Sequence, residues 1–197
     1  MSGTLEGERS EQKKPNVIDS KVAKIPSTDP QTLQALGAGI AATCAGFNLR
    51  RASRAVTQHF DRALAPVGLR STQFTILGAM AWAGSVSTNQ LAQGLVMDRT
   101  TLTRNLKLLR EAGLIEARPS VVGRQIQFGL TDMGREQLAQ AIPHWRVAQD
   151  GIVEAFGESS WPGMVQELGR LVNGTLALGG EPHTNGAASA IDRKSVV

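Results

Sequence analysis

Apolar residues recur at helical spacing along most of this chain, and between residues 87 and 130 the pattern changes to two short helices and a two-stranded hairpin. Leu49, Ala52, Val56, Phe60, Ala63, Leu64 and Val67 fall at intervals of three and four, the stripe of one long helix. Its other side carries Arg50, Arg54, Gln58, Asp61 and Arg62, and Pro66 and Gly68 end it. Phe74, Ile76, Leu77 and Met80 predict a second, mostly buried helix that stops at Gly84. Ser87-Thr88-Asn89-Gln90 has the spacing of a capping box, in which hydroxyl and amide reciprocally satisfy two orphan backbone donors. The short helix it opens holds Leu91, Ala92 and Leu95 and runs into a turn at 94–97. Asp98 then caps a helix over residues 99–112, which Gly113 stops. Leu102, Leu106 and Leu109 lie within about 60° of one another on it, a narrow buried stripe. Thr100, Thr103, Arg104 and Lys107 lie opposite, a face of hydroxyls and cations expected to hold no aliphatic residue.

Residues 114–118 read as a short strand and 119–123 as a turn-like loop. Residues 125–130 alternate polar and apolar at period two, the returning strand, with Arg118 and Arg124 bracketing the tip. Thr131 caps a long helix from 132 to about 156, and Trp161, Val165, Leu168, Leu171, Val172 and Leu176 supply another to 178. The fold class is therefore mostly α (α+β): a winged helix-turn-helix domain with long N- and C-terminal dimerisation helices. Apolar stripes at both ends exceed what one subunit can bury, which argues for a homodimer whose ends interleave.

Charge sharpens the picture. Between residues 99 and 124, Arg99, Arg104, Lys107, Arg110, Arg118 and Arg124 face only Glu111 and Glu116. The excess is positive where the phosphate backbone of double-stranded DNA would lie. The candidate DNA-binding residues are Ser87, Arg99, Thr100, Thr101, Thr103, Arg104, Lys107, Arg110, Arg118 and Arg124. Thr100, Thr103 and Arg104 are expected to read bases in a major groove, with Lys107, Arg110 and Arg118 on phosphates. Two-fold symmetry then predicts a pseudo-palindromic operator.

The whole chain is 197 residues with net charge +4, which permits a nucleic-acid partner without requiring one. Residues 1–30 and 179–197 are charged or polar, rich in Pro or Gly, and poor in large apolar side chains, so both read as disordered tails. The domain between them spans 31–178, its DNA-binding part about 69–131 and its dimerisation helices about 31–66 and 132–178. No apolar run approaches the roughly 18 residues of a membrane span. The absence of a leader pattern and the single cysteine fit the cytoplasm. His59, His144 and His183 are scattered, without metal-ligand spacing, and no phosphate-binding or nucleophile motif is present. No metal, cofactor or enzymatic activity is expected.

The motifs in order resemble the MarR family of multiple antibiotic resistance regulators, over about residues 40 to 175. The matching residues are Leu64-Ala65-Pro66-Val67-Gly68-Leu69 with Gln73-Phe74, Leu91-Ala92, and Asp98-Arg99-Thr100-Thr101-Leu102-Thr103-Arg104. Further on come Leu108-Leu109-Arg110-Glu111-Ala112-Gly113-Leu114-Ile115, Gly123-Arg124, and Leu130-Thr131-Asp132-Met133-Gly134. In one departure, the place of the family's wing Asp, two residues before the wing Arg, is Val122. The resemblance implies a dimer in which the first helix and the last two pair across a two-fold axis. It also implies a repressor released by a small aromatic or phenolic effector in the crevice between dimer helices and winged domain. Phe47, Arg51, Phe74, Trp82 and Trp145 are the candidate ring walls and cation, although Phe74 and Trp82 also suit an ordinary core. Other members sense oxidants through a cysteine near the start of the first helix. Cys44 lies close to such a place, with Arg50 and Arg51 within two turns, and a small gap-filling residue is the alternative. The remaining alternatives are a winged-helix assembly module that does not read DNA, and a ligand carrier or enzyme.

Overall fold

The computed structural model describes residues 28–119 and 126–178, and the chain divides into two units, Met1–Arg50 and Arg51–Val197. Most of the expected tails, and the wing tip with Val122 and Arg124, lie outside the described residues.

In the first unit, α1 (Pro30–Thr43) starts where Asp29 accepts a hydrogen bond from Thr32 N at 3.0 Å. Pro30 occupies the first turn, where its missing N–H would have no partner. The helix breaks at Cys44, which is extended (φ −69°, ψ 114°), and resumes as α2 (Ala45–Leu64). Asn48 spans the break, its side-chain amide donating to Ala41 O at 3.2 Å and Cys44 O at 3.1 Å. Cys44, expected near the start of the first helix, is the joint between two. No residue of α1 is buried, and Leu33, Leu36 and Ile40 are exposed along it.

In the second unit, α2 runs on to Leu64 and closes with a tight turn at Ala65–Val67. α3 (Ser71–Ala83) has Arg70 at its N-cap, which offers no side-chain acceptor, so its first N–H looks elsewhere. Asp61, back on α2, accepts from Ser71 N at 2.7 Å and pairs with Arg70 at 3.3 Å. Three strands follow in the chain, β1 (Val86–Ser87), β2 (Ile115–Pro119) and β3 (Ile126–Leu130), forming an antiparallel sheet in the order β1-β3-β2. Ile115 faces Leu130 and Pro119 faces Ile126, so the expected hairpin forms with its first strand shifted one residue along the chain. Val86 opposite Phe128 adds a strand the alternation did not reveal, since two residues carry no readable period.

The helix-turn-helix comprises α4 (Thr88–Gly94) and α5 (Arg99–Glu111), and α6 (Asp132–Phe156) and α7 (Trp161–Leu178) complete the chain. Leu64, Ile76, Leu77, Met80, Leu91, Leu102, Leu109 and Ile115 are fully buried in one cluster, each contributing about 2 kcal/mol by removal from water. His59 Nε2 lies 3.1 Å from Ala148 O, and Gln137 donates to Val67 O, tying α6 to α2 and its closing turn. α7 has no buried residue, and Val165, Leu168, Leu171, Val172 and Leu176 are exposed along it.

Candidate nucleic-acid interface

The site is built on local capping. Gln90 N donates to Ser87 Oγ at 3.3 Å and Ser87 N donates to Gln90 Oε1 at 2.8 Å, the reciprocal pair the sequence predicts. Ser87 is only 4% exposed, with its hydroxyl engaged in that cap. Its cap bond anchors the start of α4.

The turn after α4 takes an unusual form. Met97 N donates to Ala92 O at 2.9 Å and Val96 N to Gln93 O at 3.2 Å, the two bonds of a Schellman ending. That ending requires a left-handed residue, usually Gly, and here it is Val96 at φ 48° and 56% exposed. A β-branched side chain in this region is strained.

α5 begins at Asp98, whose Oδ1 accepts from Thr101 N at 2.8 Å. The hydrogen bonds from Thr101 hold the Asp98 carboxyl below the usual aspartate range. Leu102, Leu106 and Leu109 turn inward, fixing which side faces out. Thr100, Thr101, Thr103, Arg104, Lys107 and Arg110 are all exposed on that outer side. Arg99 donates to Asn89 Oδ1, bracing α5 against α4. Lys107 lies 3.8 Å from Glu111, and Arg118 on β2 pairs with Glu116. These exposed pairs are weak. Among the described residues Arg104 and Arg110 have no carboxylate partner. Leu108, 45% exposed, corrects the expectation of a face without aliphatics. Such a side chain suits a thymine methyl as well as a protein surface.

The residues expected to line an effector crevice are differently placed. Phe74 and Trp145 stack at 6.0 Å between ring centroids, 22° apart, half-buried against the core. Trp82, given an ordinary core as its other reading, is 53% exposed and makes no ring contact among the described residues. Arg51 is exposed on α2, and Phe47 is exposed in the first unit. Among the described residues no group of His, Cys, Asp and Glu is arranged to hold a metal. No described helix is long and apolar enough to cross a membrane.

Sequence reasoning missed the part of Thr131 beyond capping α6. Its Oγ1 donates to Gly113 O at 2.6 Å and its N donates to Leu114 O at 3.1 Å. The only signal was its place as a helix cap, which does not name a partner 18 residues earlier.

Residues 67–126 match a family model described as MarR family. The structure is similar to the M. tuberculosis transcriptional regulator MosR in complex with DNA, at 35% identity and TM-score 0.62, covering 68% of this chain and 98% of that one. It is also similar to the transcriptional repressor CouR bound to a 23-mer DNA duplex, at 26% identity and TM-score 0.62, covering 68% and 96%. The E. coli MarR structure, at 18% identity and TM-score 0.56 over 66% and 97%, shares the fold. No curated protein matches the chain.

Proposed function

We propose, for a chain that belongs to the MarR family of DNA-binding transcriptional regulators, that it acts as a homodimeric repressor on a pseudo-palindromic operator. A small aromatic effector would release it. The family consists of transcriptional regulators and not of enzymes. The observation that carries the DNA reading is the outer side of α5: three threonines and three cations beside a buried leucine stripe, with Arg104 unpaired among the described residues. In this reading Thr100, Thr103 and Arg104 meet base edges, with Thr101 and Arg99 at the helix start. Lys107, Arg110 and Arg118 meet phosphates, and Arg124 is proposed to do so from outside the described residues. That MosR and CouR were solved with DNA supports it.

The dimer reading rests on two uncovered apolar faces, Leu33, Leu36 and Ile40 on α1 and Val165, Leu168, Leu171, Val172 and Leu176 on α7. Removing residues 161–197 is expected to abolish the dimer and DNA binding with it. Arg51 and Trp82, both exposed in the second unit, are the proposed cation and ring for an aromatic effector. Action on chromosomal DNA in the cytoplasm follows from the same reading.

Oxidation of Cys44 is the competing input, favoured by its position at a helix break. Gel shifts with peroxide compare wild type with Cys44→Ser. We expect both to keep DNA, and loss in wild type alone would establish the redox input. The function itself is tested by selecting duplexes from a random library with the full-length protein. Failure to enrich any sequence would refute it.

A further inference from the structure

We infer that Thr131 is a positioning residue for the recognition helix α5, setting its angle to α6 through one hydroxyl. The inference rests on the homodimer-and-operator reading above. Thr131 caps α6 and reaches back to the backbone that leaves α5. Its Oγ1 donates to Gly113 O at 2.6 Å, at the residue that terminates α5, and accepts from Gly134 N at 3.0 Å, in the first turn of α6. Its own N–H donates to Leu114 O at 3.1 Å, the carbonyl that follows Gly113. Gly113 is left-handed, at φ 71°, so its carbonyl direction is set by the way α5 ends.

Packing removes the remaining freedom. A Cβ at Gly134 would meet Leu114 O at 1.9 Å, so the first turn of α6 lies directly against the backbone leaving α5. Arg135 Nη1 donates to Leu130 O at 2.9 Å, and Leu130 faces Ile115 across the sheet. Two helices joined this closely rotate together. In a dimer assembled through the terminal helices, the direction of α6 then fixes the direction and separation of the two copies of α5. Thr131 thereby helps determine which half-site spacing the dimer accepts.

The test uses full-length wild type, Thr131→Val and Thr131→Ser on a duplex selected by the wild type. The same duplex with one base pair added or removed between half-sites is measured beside it. The readout is the ratio of the two affinities, which does not change when a variant merely folds less completely. Wild type is expected to prefer the selected spacing. Thr131→Val is expected to lose about fivefold of that preference, the equivalent of one hydrogen bond, while Thr131→Ser, with the hydroxyl restored, keeps it. Thr131→Val with the wild-type ratio, or Thr131→Ser as relaxed as Thr131→Val, overturns the inference. Wild type that enriches no duplex overturns instead the operator reading on which it stands, and this inference with it.

Discussion

Replacing Gly134 with alanine adds one methyl group where there is no room for it. The added carbon would lie 1.9 Å from Leu114 O, 2.9 Å from Leu114 C and 3.3 Å from Leu114 Cα, all rigid backbone. Ordinary contact with that oxygen requires about 1.5 Å more, which a shift of α6 away from the backbone at Leu114 must provide. The shift stretches two hydrogen bonds at once, Thr131 N to Leu114 O and Thr131 Oγ1 to Gly113 O. Overpacking of this kind costs about 1–3 kcal/mol, and each lost bond about 1 kcal/mol more. The sum is a destabilisation of about 3–5 kcal/mol, among the large values for a single substitution. Gly78→Ala in α3 is the control, since a Cβ there meets nothing within 4 Å. Helix propensity alone should then stabilise that variant by about 0.5–1 kcal/mol. Urea unfolding at matched protein concentration reads both, through the midpoint at unchanged slope. A Gly134→Ala protein within about 1 kcal/mol of wild type would refute the close approach of α6 to Leu114, and the rigid joint argued from it.

Arg104→Ala is expected to weaken specific binding by about 1–3 kcal/mol and relax one position per half-site. Lys107→Ala should weaken all duplexes alike and flatten the salt dependence, and fluorescence anisotropy across salt concentrations separates the two. Val96→Gly should stabilise the protein by up to about 1 kcal/mol, because relief of a left-handed β-branched residue outweighs the added chain entropy; a lower melting temperature would contradict it. For Asp61, burial raises the carboxyl pKa, but the hydrogen bonds from Ser71 and Arg70 outweigh it, leaving the folded value below the ordinary one. A depressed folded value gives stability that is present above the unfolded pKa and lost as pH falls through the folded one. The stability gap between wild type and Asp61→Asn should therefore narrow as pH drops below about 4, in urea melts at stepped pH.

The sequence by itself determined the caps and the stripe of the helix-turn-helix, which are made by residues three or four apart. The Ser87–Gln90 box, the Asp98 and Thr131 caps and the inward stripe of Leu102, Leu106 and Leu109 are contacts within a single helical turn or a helix's repeat. Their partners are adjacent in the chain, so spacing alone identifies them, and with them the outward face of α5. What only the tertiary structure decided depends on partners the chain does not place nearby. Asp61 serves the start of α3 because Arg70 cannot, ten residues downstream. Val86 pairs with Phe128 across more than forty residues, and Ser87 is buried by the sheet it belongs to. Phe74 finds Trp145, while Trp82, equally aromatic in the sequence, is left exposed. Gly134 reads as one more small residue until the carbonyl of Leu114 is placed against it. Local hydrogen bonds carry their own address in the sequence, whereas packing is settled by whichever surfaces the completed fold brings together.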